Sequence, residues 1–275
     1  MKKAVVFFGS MRELEMGSKT WHLLGEDVDY FAVTWDVVNN HFTNDSEVSS
    51  YPCDLSNFPV PLKGTVRPNF SDYTQYLQNL GLHPNAMHPN IMLYVLYHWS
   101  LISLLPDIHT YDQIIITRTD MFCVEGSTSK WESDIVPGKV TFLGVDGSVN
   151  DWIVSTDPAG LATLYDIYHT CIDTRGFLDE FGNAKIIHDY LYERVQANPE
   201  KFLFNNVKAS DNPIMPPTVL IRPNYPKAWL KLSYGPVLAY LMIRHSQEYE
   251  NLIRGITTGA DEITIQMLSG SKFRI

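Results

Sequence analysis

The chain has 275 residues, 45% apolar and 19% charged, which suits one large α/β domain or two small ones and excludes wholesale disorder. A net charge of -10 argues against a general nucleic-acid binder, which needs a basic surface, but leaves room for a local basic pocket that takes phosphates. Cys53, Cys123 and Cys171 form no CxxC pair, which argues against a disulfide framework or cysteine zinc site and for a reducing compartment.

In chain order, Lys2 and Lys3 precede a short apolar run that Arg12 and Glu13 interrupt, with no small-residue cleavage site after it. Residues 4–8 (AVVFF), closed by Gly9, therefore read as a first buried strand. A helix is expected over 12–24 and a second strand over 30–35 (YFAVTW), ending at Asp36. Residues 41–70 are rich in Ser, Asn and Pro and show no period, so they read as a long loop, mobile and close to a ligand. Asn90 is the expected N-cap of an apolar helix over 91–105. "YDQIIITRTDMF" (111–122) is a β-branched strand that ends, with no turn residue, in Arg118, Thr119 and Asp120. Strands over 139–143, 151–155 and 219–222 and helices over 158–169 and 185–195 complete the pattern. No run approaches the roughly 18 apolar residues of a membrane span. Alternating strands and helices favour a mainly parallel sheet, whose ligands bind at the carboxyl ends of the strands.

Those ends hold the chemistry. Gly9-Ser10-Met11-Arg12 offers close backbone approach, a helix start and a phosphate-binding guanidinium, or else a plain strand-to-helix turn. Gly17-Ser18-Lys19-Thr20 fails as a phosphate loop, because its lysine does not follow the glycine directly. A carboxylate ending a buried strand is costly unless paired, so Arg118 and Asp120 read either as an ion pair or as a diphosphate clamp in which Asp120 holds a divalent metal. Asp151 precedes an apolar run and is a candidate pocket carboxylate. "KIIHDYLYERV" sets His188 beside a buried stripe and Asp189 where it could accept a proton from a hydroxyl. His83 and His88 read as loop and cap residues before metal ligands, and Trp35, beside Asp36, is the tryptophan placed to touch a ligand.

Taken in order, "VVFFGSMRELE", "DVDYFAVTWD", "YDQIIITRTDMF" and "VNDWIVS" resemble the GT-A-type glycosyltransferase-like proteins of large DNA viruses, marine phages and bacteria. The resemblance covers roughly residues 1–225. It implies a GT-A-like α/β fold: a Rossmann-type, mainly parallel sheet flanked by helices, with a smaller acceptor-side α+β portion. A helical extension over 226–275 would pack on this domain. By the same resemblance Gly9, Ser10, Arg12, Trp35, Asp36, Asn90, Arg118, Thr119 and Asp120 bind the donor. Asp120 stands as the last carboxylate of the family's metal-binding Asp-x-Asp motif, although Arg118 replaces the first. Mn²⁺ or Mg²⁺ is the implied cofactor.

The implied activity is transfer of a sugar from a nucleotide-diphosphate sugar, a UDP-sugar above all, to a glycan or other hydroxyl. Asp151 and then Asp189 are the candidate bases. The implied setting is cytoplasmic, that of the host if the chain is viral. Two alternatives stay open: a nucleotide-sugar-binding protein without turnover, and another Rossmann-type transferase such as a methyltransferase. The latter would want a G-x-G first loop that Gly9-Ser10-Met11 lacks.

Overall fold

The computed structural model describes residues 1–11, 14, 18, 21–25, 27–39, 50–83, 87–119, 121–123, 136–145, 148–207, 218–220, 264–266 and 272–274. The strands are β1 (Lys3–Phe8), β2 (Val28–Val33), β3 (Val37–Asn39), β4 (Ser50–Pro52), β5 (Leu62–Val66), β6 (Gln113–Arg118), β7 (Met121–Cys123), β8 (Val140–Val145), β9 (Ser148–Thr156), β10 (Phe202–Val207), β11 (Thr218–Leu220), β12 (Thr264–Gln266) and β13 (Lys272–Arg274). The α-helices with both ends among the described residues are α1 (Phe70–Asn79), α2 (Met87–Ser100), α3 (Leu161–Asp173) and α4 (Ile187–Ala197).

Seven strands form one sheet in the order β10-β8-β9-β6-β1-β2-β5. β1 lies in its interior because every residue of KAVVFF is buried, as a parallel strand covered on both faces requires. It pairs in parallel with β2 (Lys3 opposite Val28) and with β6 (Lys3 opposite Gln113). β9 alone is antiparallel to both of its neighbours. The result is an α/β fold built on a mostly parallel sheet flanked by helices.

Alternation along the strands divides the core in two. Ala4, Val6, Phe8, Ile114 and Ile116 pack with Tyr73, Leu93, Leu164 and Leu191 of α1 to α4. Val5, Phe7, Ala32 and Ile115 face the other way, onto Met11, Trp21, Leu24 and Cys53.

Several expected elements differ. Residues 41–49 lie outside the described residues, but the rest of the expected 41–70 loop is largely structured. β4 pairs with β3, and β5 is an edge strand parallel to β2. In β5 partly buried and exposed residues alternate, so it carries no apolar run to betray it. α1 starts at Phe70, capped by Asn69, whose side chain accepts from the Asp72 amide; it buries Tyr73 and Leu77 within an otherwise polar sequence. α2 begins at Met87, so Asn90 is not its N-cap but sits in the first turn, donating from Nδ2 to the His83 carbonyl. The helix also ends at Ser100, ahead of a short 3-10 turn at Ile102–Leu104. Of the expected extension over 226–275 the described residues are β12 and β13, which pair antiparallel.

Candidate functional site

The chain lays down β1, β2 and β5 toward one edge and then returns to place β6 on the other side of β1. The order thus reverses between β1 and β6, and the crevice outside their carboxyl ends is where such sheets bind ligands. Gly9 ends β1 with φ +89, a left-handed turn that glycine adopts without strain. Among the described residues a Cβ at Gly9 would meet nothing within 4 Å, so they leave the space above the turn open. Ser10 follows; its carbonyl accepts from Thr119 Oγ1 at 3.4 Å, tying the end of β6 to the turn after β1. The buried Ser10 Oγ and Thr117 Oγ1 have no hydrogen-bond partner among the described residues, so polar capacity remains at this edge.

Arg118 shares the strand face of Ile114 and Ile116, the face that the helices cover. Its Nη1 lies 3.7 Å from Asp151 Oδ2, with the two side chains only 13% and 5% exposed. Asp151 reaches this edge because β9 is antiparallel: its first residues stand where its neighbours' last residues stand. A register irregularity opposite Phe142–Gly144 falls across this stretch of β9, and such bulges re-aim side chains. The guanidinium thus faces Asp151, while Asp120, its expected partner or the expected metal ligand, lies outside the described residues.

α4 begins at the same edge and on the same face. Ile187, Tyr190, Leu191 and Val195 form its buried stripe. One residue off the stripe, His188 places Nδ1 2.9 Å from the Val149 carbonyl of β9. A carbonyl only accepts, so Nδ1 carries the proton. Asp189, next in the turn, is exposed.

Other expectations are corrected. Trp35 is 3% exposed and packs against Phe70, Tyr73, Tyr94, Tyr97 and His98, so it is a core residue rather than a ligand contact. Asp36 spends both oxygens on the start of α1: Oδ1 accepts from the Phe70 amide at 2.9 Å and Oδ2 from Asn69 Nδ2 at 2.8 Å. Asn90 is buried against the His83 carbonyl. Arg12 and Asp120 lie outside the described residues. Arg67, which the sequence reading passed over, donates to the carbonyls of Cys53 and Asp36 and so fastens the end of β5 to that of β2. Its only signal was position, a cation just past an alternating segment and just before Pro68.

Burial pushes the His98 imidazole down to about 4, against an opposing contact with the Tyr94 carbonyl. Burial likewise raises the phenols of Tyr73 and Tyr168, whose hydroxyls meet at 3.1 Å. An ionic network sits at the opposite edge. There the Tyr111 hydroxyl, and then Lys63, hold Asp29 below its usual range.

Among the described residues no group of three His, Cys, Asp or Glu side chains could hold a metal ion. Asp151, a described carboxylate at this edge, faces the Arg118 guanidinium. Asp120, the expected ligand of Mn²⁺ or Mg²⁺, lies outside the described residues. None of their helices is long and apolar enough to cross a membrane.

No protein-family model matches the sequence, and no curated protein matches it. Among solved structures, the chain is similar to the glycosyltransferase GlyE of Streptococcus pneumoniae TIGR4, at 13% identity and a TM-score of 0.45, over 91% of this chain and 53% of that one. The apo form of GlyE gives 13% identity and a TM-score of 0.44, over 74% of this chain and 45% of that one. The chain spans about half the length of these structures.

Proposed function

We propose that the chain is a glycosyltransferase that moves a sugar from a nucleotide-diphosphate sugar, expected to be a UDP-sugar, to a hydroxyl acceptor. The observation that carries this reading is Arg118, held by Asp151 beside the open left-handed turn at Gly9, at the switch point of the sheet. The turn lets a diphosphate approach the backbone, and Arg118 opposes the charge that grows on the leaving diphosphate as the anomeric C–O bond breaks. Asp151 keeps the guanidinium in place. The catalytic unit is residues 1–225, with 226–275 as an extension.

A thermal-shift series with UDP and UDP-sugars tests the reading, since a ligand at a hundred times its Kd stabilises the folded state by about 2.7 kcal/mol. UDP-sugars should raise the midpoint, and no response to any nucleotide sugar would overturn the proposal. The same series with Mn²⁺ and with EDTA tests Asp120 as a metal ligand: a larger shift with the cation is expected, and equal shifts would remove the cation while leaving donor binding intact.

A further inference from the structure

Given glycosyl transfer at this edge, we infer that His188 accepts the proton of the acceptor hydroxyl, and that the reaction inverts the anomeric centre. The turn of α4 that carries His188 packs at the start of β9, two residues along from Asp151. The hydrogen bond to the Val149 carbonyl fixes both the ring and its tautomer: with the proton on Nδ1, the Nε2 lone pair is the ring's accepting site. His188 is only partly buried, so that nitrogen is open to an incoming hydroxyl.

The two carboxylates that sequence offered for this task are poorly placed. Asp151 is 3% exposed and faces Arg118, so taking up a proton would discharge the group that holds the guanidinium. Asp189 lies on the exposed side of the turn.

The step balances without a further reactant. The hydroxyl proton passes to Nε2 as the oxygen bonds to the anomeric carbon. The bond from that carbon to the phosphate oxygen breaks, its electron pair leaves with the nucleoside diphosphate, and the imidazolium returns its proton to water. One displacement with one base delivers the acceptor on the face opposite the leaving group.

The test uses the whole chain, with methanol as a small acceptor and UDP-glucose, UDP-galactose, UDP-N-acetylglucosamine and UDP-N-acetylgalactosamine as donors. These donors are α-linked, so proton NMR should show the β-methyl glycoside. His188→Asn keeps a donor for the Val149 carbonyl but offers no basic nitrogen; its kcat should fall about 10²- to 10⁴-fold. Its donor Kd and melting midpoint should not move. His188→Ala should regain turnover on addition of imidazole, which a merely structural histidine would not allow. An α-methyl product, or His188→Asn within about fivefold of the wild-type rate, would overturn the assignment while leaving glycosyl transfer standing. Failure of the wild-type chain to bind any donor would overturn the glycosyl-transfer reading itself, and this assignment with it.

Discussion

Asp151 and Arg118 are charged where charge is costly, and each offsets part of the other's cost. Removing Asp151 takes one carboxylate from a largely buried guanidinium, so Asp151→Ala should destabilise the chain by about 1–3 kcal/mol in urea unfolding. The double variant Arg118→Met/Asp151→Leu should recover much of that loss and still fail to bind UDP. Recovery of both stability and binding would make the pair a structural device. Asp36 calls for the opposite test. It accepts from the Phe70 amide at the start of α1, so Asp36→Ala should cost about 1 kcal/mol of stability, as lost helix caps do, and leave the UDP shift unchanged. A lost shift would return Asp36 to the donor site. Residue types and strand ends could be read from the sequence, which is how Gly9, Ser10, Arg118 and Asp151 were found. What partner each side chain meets could not. Trp35 and Asp36 follow a strand much as Arg118 ends one, yet α1 closes over them, and α1 is too polar in sequence to announce itself.

Among the elements, α2 shows how a helix that is apolar on most sides carries a titratable group into the core. His98 is fully buried against Trp35. Its imidazole takes a proton near pH 6.5 when unfolded and only near 4 when folded. Between those values the unfolded chain binds a proton that the folded chain does not. The contribution is thus intact above about pH 6.5, shrinks as pH falls, and is lost in full below about 4. From pH 7 to 5 this histidine should cost about 2 kcal/mol, seen as a steeper fall in the urea midpoint of wild type than of His98→Gln. Parallel slopes would show that His98 contributes none of the loss. At the sheet edge, a Cβ on Gly64 would lie 2.5 Å from Pro106 Cγ, so Gly64→Ala should lower stability by about 1–3 kcal/mol through overpacking. Covered strands such as β1 and β6 were legible as unbroken apolar runs, and α3 and α4 by their period. β5 and β10, at the two edges, were not, because an edge strand needs less apolar sequence than a central one.

Across the whole molecule, one edge of one sheet gathers the turn after β1, the end of β6, the start of β9 and the first turn of α4. Amide exchange should reflect this. Donor should slow exchange around Gly9, Ser10 and Thr119, whereas 62–66 should be protected beforehand by the pairing of β5 with β2. Strong donor-induced protection of 62–66 would restore the mobile loop that the sequence suggested. The same topology sets a timetable for synthesis. β1 gains its first neighbour 25 residues on, where Lys3 meets Val28, but its second only 110 residues on, where Lys3 meets Gln113. At about 5–20 residues per second, the ribosome takes roughly 5–20 s to deliver that second strand. For that interval the nascent chain carries AVVFF with one hydrogen-bonding edge unpaired, an adhesive surface for any other extended apolar chain. The strand that anchors the finished sheet is therefore the segment that newly made chains most need shielded by a chaperone.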